Sequence, residues 1–136
     1  MEKRLLDGSL ATADIPQYWN DQYKAFLNIS VPDDKRGCLQ DVHWSHGSFG
    51  YFPTYSLGSF YATQFYAQAK AQVPGLEQEI SRGNVVPLLQ WLRTHIHAKG
   101  RFYTSEDLCR QVTGQGLQVQ YFIDYLLEKY TAIYNL

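Results

Sequence analysis

Apolar residues recur at helical spacing along most of the chain, and proline or glycine stands between the segments. In one segment, apolar side chains occupy positions i, i+4, i+7 and i+8, namely Trp19, Tyr23, Phe26 and Leu27. This spacing places them on one face of an amphipathic helix. The same pattern in later segments predicts an all-α fold of six or seven helices. The length of 136 residues predicts a single helical domain over residues 1–136.

One expected helix, from about Thr54 to Gln72, has an inner face of mixed polarity. Its apolar stripe consists of Leu57, Phe60, Tyr61 and Phe65. Gln64 and Gln68 fall on the same side and interrupt the stripe. We therefore expect that face to be only partly buried.

Charge and composition exclude some classes of function. The formal net charge is −1 and no basic stripe is present, so we expect no nucleic-acid partner. No run approaches the roughly 18 apolar residues of a membrane span, and no apolar signal region follows Met1. We therefore expect a cytoplasmic protein with no membrane partner. The two cysteines, Cys38 and Cys109, lack CxxC spacing and are expected to be free structural thiols.

Aromatic residues make up 15% of the chain, with eleven tyrosines among them. Tyrosine suits half-buried positions, where its ring packs and its hydroxyl finds a partner. A cleft wall or an interface would account for this content, and so would a tyrosine-rich edge of the core.

The segment from Gly37 to Tyr55 differs from the rest because glycines, aromatic rings and histidines are interleaved without a clear period. Such a composition is typical of a structured loop that lines a site. His43 with Tyr51 and Tyr55 offers hydrogen-bond donors suited to a developing oxyanion. The alternative from the residues alone is that Asp41 and His43 fasten the loop while the tyrosines pack.

A metal site built wholly from this chain is not expected. His43 and His46 are three residues apart, but a zinc site needs three or four protein ligands and no third one stands nearby. The motif HExxH does not occur in the sequence.

Four stretches of sequence together resemble one known family. Residues 37–44 read GCLQDVHW and match the GxxQDxHW motif of the carboxypeptidase Taq family of zinc metallocarboxypeptidases. The continuation at 45–58, SHGSFGYFPTYSLG, is similar to that family too. So are DIPQYWN at 14–20 and YTSEDLC at 103–109. The resemblance covers essentially the whole chain, but only the C-terminal portion of the family fold.

The resemblance implies an all-helical peptidase that releases C-terminal amino acids from peptides. Its zinc is held by an HExxH helix and a downstream Glu, which lie upstream of the matching part, so no cofactor is expected in this chain. By resemblance, His43 contacts the substrate or the scissile carbonyl, and either Tyr51 or Tyr55 stabilises the oxyanion. Gln40 and Asp41 are expected to support the loop, and Trp44 occupies a fixed position of the motif.

The function expected from these observations is that of a carboxypeptidase-related protein that is inactive alone. Three interpretations remain open: a non-catalytic remnant, one half of a split peptidase with an N-terminal partner chain carrying HExxH, or a module that binds a peptide or protein. Surfaces that pack on the absent part should be exposed, especially around Met1–Leu6 and the tyrosines. Such patches favour association, so we also expect a homo-oligomer, most simply a dimer.

Overall fold

The computed structural model describes the backbone of residues 1–136 and every side chain except that of Ser45. The chain is helical, and no β-strand occurs in the part that is described. The predicted all-α fold is therefore confirmed. Contacts divide the chain into two compact units, Met1–Thr54 and Tyr55–Leu136. The expectation of a single domain stays a prediction.

The first unit contains three helices joined by turns of 3-10 helix: α1 (Glu2–Leu6), α2 (Ile15–Leu27) and α3 (Val42–Ser45). Proline in the first turn starts α2 without the loss of an internal hydrogen bond. Asn28 ends it in the left-handed conformation, with φ of 55°. The short helix α3 lies inside the segment expected to be a loop.

The second unit contains the longer helices: α4 (Pro53–Gln72, beginning two residues before the unit does), α5 (Leu76–Ser81), α6 (Val86–His95), α7 (Ser105–Thr113) and α8 (Gln120–Tyr134). Thr104 caps α7, because its hydroxyl accepts a hydrogen bond from the Asp107 backbone N–H at 3.1 Å. Proline at the start of α6 again marks a first turn. The helices predicted in this unit are present, within a few residues at their ends.

A hydrophobic core sits in the second unit, where α4, α5 and α6 meet. Ala69, Leu76 and Trp91 are buried at its centre, and the Trp91 indole N–H donates to the Gln72 side-chain oxygen at 2.6 Å. Partly buried side chains surround these three: Phe65, Tyr66, Val73, Ile80, Leu88, Leu92, Ile96 and Val112.

The inner face of α4 is only partly buried, as expected: Leu57 on it is 45% exposed and its other apolar residues are half-buried. Gln64 is the exception. Its side chain is 1% exposed. Its amide donates to the Thr113 hydroxyl and to the Gly116 carbonyl, both at 3.0 Å, and accepts from the Gln118 backbone N–H at 2.8 Å. A buried amide is tolerated when its hydrogen bonds are made, so polarity here ties the 114–118 turn to α4.

No helix in the described chain is both long and apolar enough to cross a membrane. Cys38 and Cys109 are free, buried thiols, as expected. Burial raises the pKa of both thiols, because it disfavours the charged thiolate.

Candidate functional site

The centre of the candidate site is the start of α3, where the Asp41 carboxylate contacts both the backbone and the ring of His43. Asp41 is the N-cap, and its Oδ1 accepts from the His43 backbone N–H at 2.9 Å. The same oxygen lies 2.9 Å from Nδ1 of the His43 ring. Asp41 therefore starts the helix and orients the imidazole at once.

The pairing with Asp41 determines how His43 can act. A carboxylate only accepts hydrogen bonds, so this contact favours a proton on Nδ1. Nε2 is then the ring atom able to meet a substrate, as an acceptor when the ring is neutral and as a donor when it is protonated. Both side chains are only 14% exposed, so the pair is held in a partly desolvated place where hydrogen bonds are strengthened.

Aromatic rings surround His43. The Tyr51 ring stacks on it with centroids 5.3 Å apart and an interplanar angle of 23°. Phe52 meets it edge-on, also at 5.3 Å. Tyr51 is itself 51% exposed, so its phenol stands beside the imidazole at the surface of the first unit. A protonated histidine and a tyrosine hydroxyl at one place form a donor pair suited to a carbonyl or carboxylate oxygen.

Backbone hydrogen bonds fold the glycine-rich loop back onto α3. The Ser48 N–H donates to the His43 carbonyl at 2.8 Å, and the Gly47 N–H donates to the Trp44 carbonyl at 3.1 Å. Gly50, with φ of +76°, donates its N–H to the Glu2 carboxylate at 2.7 Å. Glycine adopts this left-handed conformation without the steric cost that a Cβ brings. The residue after it is Tyr51.

The sequence does not single out Glu2 as a site residue. It stands 48 residues from Gly50 in a helix of five residues, and an acidic residue in a short helix carries no signal of such a contact.

The other motif residues attach this segment to its surroundings. The Gln40 amide donates to the Lys35 carbonyl at 2.5 Å, which closes the turn before α3. The Trp44 ring stacks on Trp19 of α2 at 6.2 Å. Trp19 also stacks on Tyr23, one turn along α2, at 5.0 Å. The apolar stripe of α2 thus lies behind the motif.

Tyr55 lies in the second unit, in the first turn of α4, whereas His43 lies in the first unit. Its side chain is 58% exposed, and its carbonyl accepts from the Ser59 hydroxyl at 3.2 Å. The structure therefore places Tyr51 against His43 within one unit. The choice between Tyr51 and Tyr55 as the oxyanion donor stays a prediction.

The site does not fit a zinc ion. Among the described residues, no group of three His, Cys, Asp or Glu side chains lies close enough together to hold a metal. The ring centroids of His43 and His46 are 6.0 Å apart. Nδ1 of the His46 ring lies 3.0 Å from the Ser48 hydroxyl oxygen. Two histidines without a third ligand fall short of the usual set for zinc.

Comparison with known proteins gives a family for the chain. A family model described as carboxypeptidase Taq (M32) metallopeptidase matches residues 1–130. The chain belongs to the carboxypeptidase Taq family of metallopeptidases. It is 42% identical to thermostable carboxypeptidase 1 of Thermus thermophilus over 99% of its own length and 26% of that relative.

Solved structures of similar proteins agree with this membership. The M32 carboxypeptidase of Deinococcus radiodurans matches with a TM-score of 0.94 and 38% identity, over 99% of this chain and 27% of that one. A structure solved as CHT matches with a TM-score of 0.91 and 58% identity, over 94% of this chain and 26% of that one. The chain thus spans about a quarter of the length of its carboxypeptidase Taq relatives and corresponds to their C-terminal part.

Proposed function

We propose that this chain forms a substrate-facing wall of a carboxypeptidase Taq-type site and is not catalytic alone. The observation that carries the proposal is the Asp41–His43 pair, 2.9 Å apart, with the Tyr51 ring stacked on the imidazole. These residues lie in or just after the GxxQDxHW motif by which the sequence resembles the family. The relatives that share this segment are named as carboxypeptidases.

Each residue has a separate task in this proposal. Asp41 holds the imidazole in one orientation, and His43, with its ring protonated, donates from Nε2 to the carbonyl or terminal carboxylate oxygen of a peptide. The Tyr51 hydroxyl donates to the oxygen on which negative charge develops. The described residues of this chain do not supply the ligands for zinc, so its contribution is binding and hydrogen-bond donation.

The test is release of C-terminal amino acids from a blocked dipeptide by the purified chain, with and without added zinc or cobalt. We expect no release in either condition, because the sequence contains no HExxH to hold a metal and provide the general base. Metal-dependent release that disappears in His43→Ala would overturn the proposal, since it would locate a working metal site within these residues.

A second candidate function is that of a module that binds peptides without catalysis. It is favoured by the exposed rings beside His43, since Tyr51 and Phe52 are each more than half exposed. Titration of a peptide with a free carboxylate, followed by the NMR signals of His43, would measure such binding. An amidated peptide is the matched control. Equal binding of the two would exclude recognition of the terminal carboxylate.

Three further expectations remain predictions. A remnant with neither activity nor partner would give no release and no binding in these assays. The homo-oligomer is tested by sedimentation, and a monomer at micromolar concentration would contradict it. The cytoplasmic location is tested by cell fractionation.

A further inference from the structure

The residue before Tyr51 is held by a carboxylate from a distant position in the same unit. The Gly50 N–H donates to Oε2 of Glu2 at 2.7 Å. The other oxygen of that carboxylate, Oε1, is buried and has no hydrogen-bond partner among the described residues. Because part of the carboxylate is shielded from water, its charge-assisted hydrogen bond to Gly50 is stronger than one at a fully solvated surface.

Gly50 is the third residue of the turn that leads into Tyr51. The Tyr51 N–H donates to the Ser48 carbonyl at 3.3 Å and closes this turn. The φ of +76° at Gly50 is what the third residue of a type II turn requires. Glycine accepts negative φ equally well, so the peptide group between Phe49 and Gly50 can flip to the type I arrangement unless a contact holds it. The Glu2 carboxylate accepts from the N–H of that peptide group.

Local hydrogen bonds hold the two ends of the same turn. At one end, the Ser48 N–H donates to the His43 carbonyl at 2.8 Å. At the other end, the Tyr51 carbonyl accepts from the Thr54 N–H at 2.9 Å. These contacts fix the ends of the turn, and the contact with Glu2 fixes the orientation of the peptide group at its centre.

Glu2 is carried by a helix that is itself anchored. The guanidinium of Arg4, also on α1, lies over the Tyr18 ring of α2, 5.2 Å from its centroid. The next residue of α2, Trp19, stacks on Trp44 of α3. One helix, α2, therefore supports both α1 and α3, and the carboxylate and the loop are placed relative to a common element.

We infer that Glu2 is a positioning residue for Tyr51 and keeps the Tyr51 ring stacked on His43. The inference rests on the proposed function and adds a further residue to the same site. Glu2 acts through the Gly50 backbone and not on a substrate. A flip of the Phe49–Gly50 peptide group changes the direction in which the chain enters Tyr51. Loss of Glu2 should therefore separate two rings whose centroids are 5.3 Å apart.

The experiment follows the stack by NMR in the full chain, through the ring-current shift of the His43 ring protons. Tyr51→Leu gives the shift without the stack. Glu2→Ala should remove most of the difference, because losing a hydrogen bond to a charged group changes the ratio of two turn conformers about tenfold. Glu2→Gln keeps an acceptor oxygen and should retain the shift. Lys3→Ala, at an exposed neighbouring position on α1, is the matched control.

A second measurement uses the wild type and does not depend on how a variant folds. Gly50 is exposed, yet its N–H should exchange with solvent at least about tenfold more slowly than an unprotected amide, because Glu2 accepts its hydrogen bond. The nitrogen shifts of the His43 ring report the contact with Asp41 in every variant, and they should stay unchanged in Glu2→Ala.

Protection of the Gly50 amide, with the stack lost in Glu2→Ala and the contact of His43 with Asp41 kept, supports the inference. The inference is overturned if Glu2→Ala keeps the stack or if the wild-type Gly50 amide exchanges without protection. It is also overturned if Glu2→Gln or Lys3→Ala loses the stack as fully as Glu2→Ala. Loss of the contact with Asp41 in Glu2→Ala overturns it too, because Glu2 then stabilises the unit as a whole.

Titration with an N-blocked dipeptide and with its C-terminal amide separates this inference from the proposed function. A wild-type preference for the free acid that falls at least about threefold in Glu2→Ala and in Tyr51→Phe supports both. Binding of neither peptide by the wild type, with the stack lost in Glu2→Ala, contradicts the proposed function and leaves the positioning role in place. A wild-type preference with the stack kept in Glu2→Ala contradicts the positioning role alone.

Discussion

The two units of this chain bury their side chains to very different degrees. In the second unit, Ala69, Leu76 and Trp91 form a closed centre, and Cys109 on α7 is completely buried. In the first unit, Cys38 is the one buried hydrophobic residue among those described, while Leu39 beside it is 71% exposed. The second unit therefore has a small closed core that the described residues of the first unit lack, although both units also expose large apolar side chains, such as Phe102 at 82% and Phe26 at 79%.

This difference indicates that the candidate site and the main source of stability lie in different units of the molecule. The candidate site residues before Tyr55 all lie in the first unit, where hydrogen bonds such as Asp41 to His43 and Glu2 to Gly50 hold the backbone. Apolar burial, the main source of stability in folded proteins, is concentrated in the second. The predictions below test that separation, in order of decreasing effect.

The largest effect is expected from truncating the core of the second unit. Leu76→Ala should lower the free energy of unfolding by about 2–5 kcal/mol, because it leaves a cavity among Ala69 and Trp91. The matched variant Leu39→Ala, at an exposed position in the first unit, should cost less than about 0.5 kcal/mol. Urea unfolding followed by circular dichroism measures both. Equal losses would refute the contrast between the units.

The next effect is expected from the buried amide of Gln64. Gln64→Leu leaves the Gly116 carbonyl and the Gln118 N–H without their partner, at a cost of about 1–3 kcal/mol for the buried carbonyl and less for the N–H, since Gln118 is exposed. Gln90→Leu, at an exposed position on α6, is the control and should change the stability little. A Gln64→Leu variant as stable as the wild type would mean that the 114–118 turn does not depend on α4.

The two thiols provide one probe in each unit. Cys38 should react with a thiol reagent about tenfold faster than Cys109, since a difference of ~1.4 kcal/mol in local opening is enough for that ratio. Burial raises the pKa of both, so both should react slowly in the folded chain and equally fast in denaturant. The variants Cys38→Ser and Cys109→Ser assign the two phases. A faster Cys109 would reverse the comparison.

The smallest effect is expected at the surface of the first unit. The hydrogen bonds that Asp33 accepts from the Arg36 side chain, and then from its backbone N–H, lower the pKa of the Asp33 carboxyl below its ordinary value. A lowered pKa in the folded state means that the contribution is present at neutral pH and is lost as the pH falls through that lowered pKa. NMR titration of Arg36→Gln should return the Asp33 pKa toward normal. An unchanged pKa would show that the pair does not form in solution.

Much of the fold could be predicted because its signals are local. The spacing of Trp19, Tyr23 and Phe26 and the prolines in first turns depend on neighbouring residues alone, and α2 and α6 appear where these signals place them. The family could be predicted for the same reason, since GCLQDVHW is a continuous stretch. The short helix α3 was not predicted, because its start depends on the Asp41 side chain rather than on any apolar period.

Other features of the site and the fold could not be predicted because they join distant positions. The hydrogen bonds of Gln64 reach residues 49 to 54 positions away, so a polar residue that looked like a break in the stripe is in fact buried. The stack of Trp19 on Trp44 and the contact of Glu2 with Gly50 are of the same kind. The spacing of apolar residues along the sequence does not indicate which distant segments will be in contact.

The hydrogen bond from Gly50 to Glu2 has a consequence for how the chain acquires its structure. Bringing together two positions 48 residues apart costs chain entropy of about 3 kcal/mol beyond a constant, whereas the turns inside α3 close over a few residues. This long-range closure should therefore form late during folding and open early during unfolding.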